Sequence, residues 1–347
     1  ASGQTRVQEL LSNSHARIIE QTQVNTARVT NQSISSTRAT VSAPIMQYLL
    51  QVNEGNVAEL AKQLALEPDI EFAEPNYLYS VNQVPNDPYF RDQKLWGLHT
   101  LNMSSAWDLN KGKGAVVAVI DTGVDQAHTD LVANIWTNTA DIAGNGIDDD
   151  GNGYVDDIAG WDFAYQDNLP NDVHSHGTHV AGTIAAKGDN AIGVIGVAPE
   201  AKIMALKALG DTGSGSAFNI AKAIRYAADM GADVINMSLG GQGNSYTLRN
   251  AVQYALARNV VVVVAAGNDN INSQYQYPAN INGVISVGAL QNYSGLAKSS
   301  FSNYGVDVDV FAPGSSIYSL APGNAYSSKS GTSMAAPHVA GVAALMR

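Results

Sequence analysis

Ala115-Val116-Val117-Ala118-Val119-Ile120-Asp121-Thr122-Gly123 is the stretch on which the fold turns. An unbroken apolar run rich in β-branched residues has the length and character of a strand buried on both faces. Asp121 follows at once and Thr122-Gly123 turns the chain, so a carboxylate stands at the strand's carboxyl end. Similar runs recur at Lys202–Leu206, Asp233–Met237, Val260–Ala265 and Val284–Val287, and helical stretches at His179–Ala186, Phe218–Met230 and Ser245–Ala257 separate several of them. Strands alternating with helices predict an α/β fold, a mostly parallel sheet with helices on both faces. Sites in such sheets form at the carboxyl edge. Taken alone, Asp121 is equally well a turn residue.

Before this region lies a module of different character. Residues 1–45 are polar and carry no clear period. Ile45–Val52 reads as a strand, Asn56–Glu67 as a helix, and Ile70–Val81 as a second strand. Asn56 is placed to cap the helix, Val57, Leu60, Ala61 and Leu64 share one face, and Pro68 ends it. Pro85-Asn86-Asp87-Pro88 is a linker signal. The division expected is a small α+β domain over 1–84 and the α/β domain over 85–347.

Composition narrows the function. Of 347 residues, 45% are hydrophobic and 14% charged, which suits a globular enzyme. A net charge of −12 argues against nucleic-acid binding, and no apolar run reaches the roughly 18 residues of a membrane span. There is no cysteine, so a metal would be held by oxygen or imidazole. Much of the negative charge is local: residues 141–172 hold nine Asp and no Lys or Arg. Within them, Asp148, Asp150 and Asn152 fall at the first, third and fifth places of a calcium loop. Gly153 stands at the sixth, the Tyr154 carbonyl at the seventh and Asp156 at the ninth. The twelfth is Ala159, not Glu, so the loop is not a complete EF-hand; Asp157 or Asp162 could complete the shell. Hard oxygen donors point to Ca²⁺.

Two further segments carry chemistry. His176-Gly177-Thr178-His179-Val180-Ala181-Gly182 leads into a helix of small residues, and its histidine spacing matches no common zinc pattern. Gly331-Thr332-Ser333-Met334-Ala335-Ala336-Pro337 places Ser333 at the positive end of a helix, with Pro337 suited to its first turn. Either segment alone could be structural, Ser333 as a cap and His176 as a packed histidine.

Together, these two segments and Ala118–Asp125 closely resemble the three signatures of the subtilase family of serine proteases, in the same chain order. The resemblance runs from about Pro85 to the C-terminus. It implies that Ser333 is the nucleophile, His176 the general base and then acid, and Asp121 the residue that orients His176. It makes Asn268, after the strand Val260–Ala266, the oxyanion donor beside the Ser333 N–H, and leaves His179 structural. It also implies a substrate cleft. Ser238, Leu239 and Gly240 would wall the S1 pocket, while Leu209, Gly213, Ser214 and Gly215 would provide the edge that pairs with an extended peptide. Gln276, before the landmark Tyr277-Pro278, would shorten the S1 floor. Asp269 at its rim would favour a basic or polar side chain, and Ala217 and Ile220 would open an apolar S4.

A second calcium site follows from the same resemblance: Asp87, Asp130 and Asn190 by side chain, with carbonyls of Gly188, Ile192 and Val194. Ile45–Val81 resembles the subtilase propeptide, which implies a proenzyme inhibited by its own first module and processed between Ser80 and Pro85. The expectation is a secreted, monomeric endopeptidase acting on proteins or peptides, with no nucleic-acid or membrane partner and with the signal peptide absent from this chain. The family usually continues past the Ser333 helix with a further helix and strands, whereas this chain stops at Arg347. The competing reading is a catalytically silent, calcium-dependent binding module on the same scaffold; a serine-directed phosphonate separates the two.

Overall fold

The structure, a computed structural model, describes residues 9, 11–13, 16–24, 45–52, 57–77, 84–293 and 295–347. The chain divides into two compact units, Ala1–Val81 and Asn82–Arg347.

In the first unit, β1 (Ala16–Val24) pairs antiparallel with β2 (Ile45–Val52). β1 falls in the stretch whose sequence carries no clear period, and Ile18 and Ile19, side by side, interrupt a strand's alternation. The register shifts between Ile18 and Glu20, so a bulge absorbs that break. Helix α1 (Val57–Leu64) buries Leu60, Ala61 and Leu64. The expected cap Asn56 lies outside the described residues. The strand expected over Ile70–Val81 is not formed across Ile70–Tyr77. Pro75 has no N–H to give a ladder, and the segment finds no partner strand among the described residues. Residues 78–83, which include Ser80 of the expected processing region, lie outside the described set.

The second unit opens with three short helices, α2 (Pro88–Arg91), α3 (Trp96–Thr100) and α4 (Met103–Trp107). There follow β3 (Val116–Asp121), β4 (Gly160–Asp162), α5 (His176–Ala185), β5 (Lys202–Lys207), α6 (Ala217–Asp229), β6 (Val234–Met237) and α7 (Tyr246–Leu256). The chain ends with β7 (Val261–Ala265), β8 (Ile285–Gln291), β9 (Ala297–Lys298), β10 (Val310–Pro313), β11 (Ile317–Ala321), β12 (Ala325–Lys329) and α8 (Thr332–Leu345). The main sheet runs β10-β8-β7-β6-β3-β5-β4, parallel throughout, with β9 added antiparallel on β8.

Alternate residues of β3 serve opposite cores, as the two-residue strand period requires. Val117 and Val119 pack with Val180, Ala181 and Ile184 of α5 and Ala336 and Ala340 of α8. Ala118 and Ile120 pack with Ile220 and Ile224 of α6 and Ala251 and Val252 of α7. Both faces are therefore dry, which is why the strands read as continuous apolar runs. From β3 the chain builds outward through β5 and β4 on one side and β6, β7, β8 and β10 on the other, so the order reverses at β3. The carboxyl ends of β3, β6 and β7 meet beside that switch.

Candidate active site

Asp121 closes β3 with no solvent exposure. Its Oδ1 accepts the Thr122 N–H at 2.7 Å and lies 2.7 Å from His176 Nδ1. His176 is the first residue of α5, three positions before the helix start expected from sequence. The early start has a local cause. Ser175 takes a left-handed φ of 76°, and the first N–H groups of the helix find outside acceptors. Gly177 N–H donates to Thr122 Oγ1 (3.0 Å) and Thr178 N–H to Asp172 Oδ2 (2.9 Å). Thr122 Oγ1 itself donates to Asp172 Oδ1 (2.9 Å), so the Asp121 turn and the His176 helix are stapled together. A Cβ at residue 177 would collide with the Gly123 carbonyl, which is why glycine follows the histidine.

Burial alone would pull the His176 pKa down, but the charge and hydrogen bond of Asp121 outweigh it and hold the pKa above the ordinary value of 6.5. Lys329 pulls it down and Asp172 pushes it up. His179, by contrast, is buried, bonds the Ile317 carbonyl at 3.0 Å and is lowered by burial to about 4.

Ser333 is the second residue of α8. Pro337 is not in the first turn but inside the helix. Having no N–H, it cannot bond the carbonyl four residues back, that of Ser333. Ser238 Oγ donates to that carbonyl instead, at 2.8 Å, and receives the Asn236 amide at 3.0 Å. Ser333 Oγ in turn donates to the Ser238 carbonyl at 3.1 Å. The serine is thus tied to the end of β6 at two points.

Asn268 is tied to the start of α8. Its Oδ1 accepts from Thr332 N–H (2.8 Å) and Thr332 Oγ1 (3.0 Å), which leaves the amide nitrogen as a donor beside Gly331 and Ser333. Behind it stands a residue that sequence reasoning missed. Asn303, fully buried, accepts the N–H groups of Asp269 and Ile271 and donates to the Ala266 carbonyl at 2.8 Å. Nothing in its own loop, Ser302-Asn303-Tyr304, marks it. Asp172 is equally hidden, one of nine aspartates in an acidic run.

Between these elements lies a cleft of about 210 Å³. Leu239 and Gly240 form one wall, Gly267, Asn268 and Asp269 another, and Thr332 and Ser333 the third side. Gln276, 8% exposed, also lines it, with its amide nitrogen against Gly240 and its Cδ near Gly267. Leu209 and Gly213–Gly215 do not line this cleft. They follow β5, where Ala208 and Leu209 N–H both reach the Asp121 carbonyl at 3.0 Å. Gly210 and Ser214 close a tight loop, and exposed Ser214 and Gly215 leave its outer edge open. A hydroxyl, an imidazole braced by a buried carboxylate, and a side-chain amide beside a helix N-terminus form a set suited to acyl transfer.

In the acidic segment the carboxylates that cluster are not the set its spacing suggests. Carboxylate oxygens of Asp141, Asp148 and Asp150 lie within 4.8 Å of one another. Asp156, at a left-handed φ of 55°, is engaged elsewhere: its oxygens accept Asn145 and Gly146 N–H. Asn152 Oδ1 accepts the Tyr154 N–H. Asp157 is held by Asn138, Asn152 and Tyr226, and Asp162 by Ala164 and Tyr165, so neither completes the cluster. Asp141 lies seven residues before the loop frame, where spacing gives no signal.

At the other expected site, Asp87 and Asp130 are both fully buried. Burial pushes Asp87 up to about 6, despite the Asp189 N–H on its Oδ2, and Oδ1 has no partner among the described residues. Asn190 Nδ2 and Val194 N–H bond Asp130, and positive φ at Asp189, Ala191 and Gly193 coils the 188–194 loop around it. Two buried carboxylates, with an orphaned oxygen and no cationic side chain bonded to either among the described residues, fit a hard divalent cation.

Comparison with known proteins agrees with this chemistry. The sequence profile of the Subtilase family matches residues 112–347. The chain is 46% identical over 293 residues to the "Thermophilic serine proteinase" of Bacillus sp. (strain AK1), covering 84% of this chain and 67% of that one. It is 43% identical over 314 residues to an "Extracellular protease" of Xanthomonas campestris pv. campestris, covering 83% and 53%. A solved structure of a Pseudoalteromonas arctica protease superposes with a TM-score of 0.65 at 36% identity, over 76% of this chain and 87% of the other. The chain belongs to the subtilase family and is a subtilisin-like serine endopeptidase.

Proposed function

We propose that Ser333, His176, Asp121 and Asn268 carry out peptide hydrolysis through an acyl-enzyme. The 2.7 Å bond from His176 Nδ1 to a fully buried carboxylate carries this reading. It fixes the tautomer whose Nε2 can accept a proton. Ser333 Oγ attacks the substrate carbonyl as its proton passes to Nε2. The resulting oxyanion is met by the Ser333 N–H and Asn268 Nδ2, and the C–N bond breaks as Nε2 returns the proton to the leaving amine. Water then repeats the sequence on the ester. In the free enzyme Ser333 Oγ rests on the Ser238 carbonyl; such bonds commonly rearrange when substrate arrives. A fluorophosphonate should label Ser333 in the matured enzyme and not in a His176→Ala variant. Labelling at another residue, or none, would refute the assignment.

Gln276, lining the cleft, and Asp269 at its rim favour a short, polar or basic P1 side chain; a P1 library dominated by bulky aromatics would contradict this. We further read the protein as a secreted proenzyme, processed between Ser80 and Pro85, whose first unit inhibits the second. The name of the Xanthomonas relative supports secretion, and no helix among the described residues is long and apolar enough to cross a membrane. Adding residues 1–84 to matured enzyme should suppress turnover. Calcium, held by Asp87 and Asp130 and by Asp141, Asp148 and Asp150, would neutralise these clusters and stabilise the fold.

A further inference from the structure

One cation stands beside the reacting groups without a part in peptide hydrolysis as described. Lys329 ends β12, four residues before Ser333, and is half-buried. Its Nζ donates to Ser175 Oγ at 3.0 Å, and Ser175 immediately precedes His176. Its charge opposes protonation of that imidazole. The other ionisable groups facing the ring are Asp121, Asp172, His179 and His174, whose ring centroid is 6.3 Å away. Lys329 alone among them holds a fixed positive charge.

The cleft decides which half of a bound peptide this cation meets. The acyl half is taken up by the cleft between Leu239 and Asp269 and by the open edge at Ser214 and Gly215, and β12 contributes to neither. The leaving half must pass on the other side of Ser333, because its nitrogen collects a proton from His176. There the chain offers Ser175 and Lys329. An ammonium has three N–H donors, and Ser175 takes one of them.

We propose that Lys329 is a specificity-determining residue that selects a carboxylate side chain on the substrate residue directly after the scissile bond. Preferred substrates are then peptides with Asp or Glu at that place. This rests on Ser333 and His176 acting as nucleophile and base.

The test uses quenched peptides identical except for Glu, Gln or Lys after the scissile bond. Enzyme matured from the full chain is counted by phosphonate titration, and kcat/KM is measured for wild type, Lys329→Met and Lys329→Glu. A half-exposed pair of this kind predicts a Glu-to-Lys preference of about tenfold in wild type. It should be near one in Lys329→Met and inverted in Lys329→Glu, and the wild-type preference should shrink as salt rises to about 0.5 M. Each ratio is internal to one enzyme form, so a variant that folds poorly still reports. The same ratio in wild type and Lys329→Glu would overturn the inference while leaving the protease intact. No cleavage of any peptide and no phosphonate labelling would instead overturn the catalytic assignment, and this inference with it.

Discussion

The carboxyl edge of the sheet and the acidic segment 141–157 both order irregular backbone, by opposite means. At the edge, mainly neutral side chains do it: Asn268 on Thr332, Asn303 on the 266–271 loop, Ser238 on Ser333. In the acidic segment carboxylates do it: Asp141 accepts Asp149 and Asp150 N–H, Asp148 accepts Asn152 and Gly153, and Asp156 accepts Asn145 and Gly146. The first device leaves no charge behind, so the field at Ser333 is set by a few chosen groups. The second leaves an anionic deposit that a cation can neutralise. Disturbing the edge should therefore change chemistry, and removing the cation should change stability.

The sharpest test of the first half is Asn268→Ala. It should lower kcat by about 10²–10³-fold with KM little altered, the size known for the oxyanion asparagine of subtilisin. It also deletes two bonds to Thr332, at a cost of about 1–3 kcal/mol in stability. A large stability loss with normal kcat would make the edge a structural device and overturn the contrast between the two regions.

The second half is tested by chelation, followed by thermal unfolding. Removing a cation present at about 100 times its dissociation constant should cost roughly 3 kcal/mol. At the other candidate cation site, outside this segment, Asp87 gives the test a change of sign. Its pKa in the fold, about 6, stands above the ordinary 3.8, so the metal-free fold binds its proton more tightly than the unfolded chain does. Metal-free stability should therefore fall as pH rises from about 4 through 6, by roughly 2–3 kcal/mol. Asp87→Asn should stabilise the protein in excess chelator at pH 7 and destabilise it in calcium. Equal effects under both conditions would mean that Asp87 holds no metal.

A smaller effect concerns protons at the edge. In its proposed role as base His176 must be neutral, and its pKa is held above 6.5, chiefly by Asp121 working against burial. The acid limb of kcat/KM should accordingly have its midpoint above 6.5, with activity lost tenfold per pH unit below it. Asp172→Asn removes a nearby negative charge and should move the midpoint down; a shift upward would contradict the electrostatic account.

The same contrast explains what could be seen in the sequence. The sheet, its helices and the positions of Asp121, His176, Asn268 and Ser333 fall at strand ends or helix starts, which apolar runs announce. Residues such as Asn303, Asp172 and Asp141 act from one loop on another, where no period exists to reveal a partner. Ser175 needs φ > 0 without being glycine, so the early start of α5 is hidden as well. Pro337 misleads because proline is commonest in a helix's first turn, whereas in this fold a side chain from the end of β6 compensates for it.

That compensation yields the smallest and most specific prediction. Ser238→Ala removes the hydroxyl that serves the Ser333 carbonyl but keeps the Ser238 carbonyl that receives Ser333 Oγ. The orphaned carbonyl should cost about 1–2 kcal/mol and let the start of α8 shift, lowering kcat by about tenfold. Pro337→Ala should restore part of that loss in the Ser238→Ala background, because an N–H at 337 can bond the same carbonyl. If the two changes were additive instead, Ser238 would act on the nucleophile by some route other than the bond that proline leaves open.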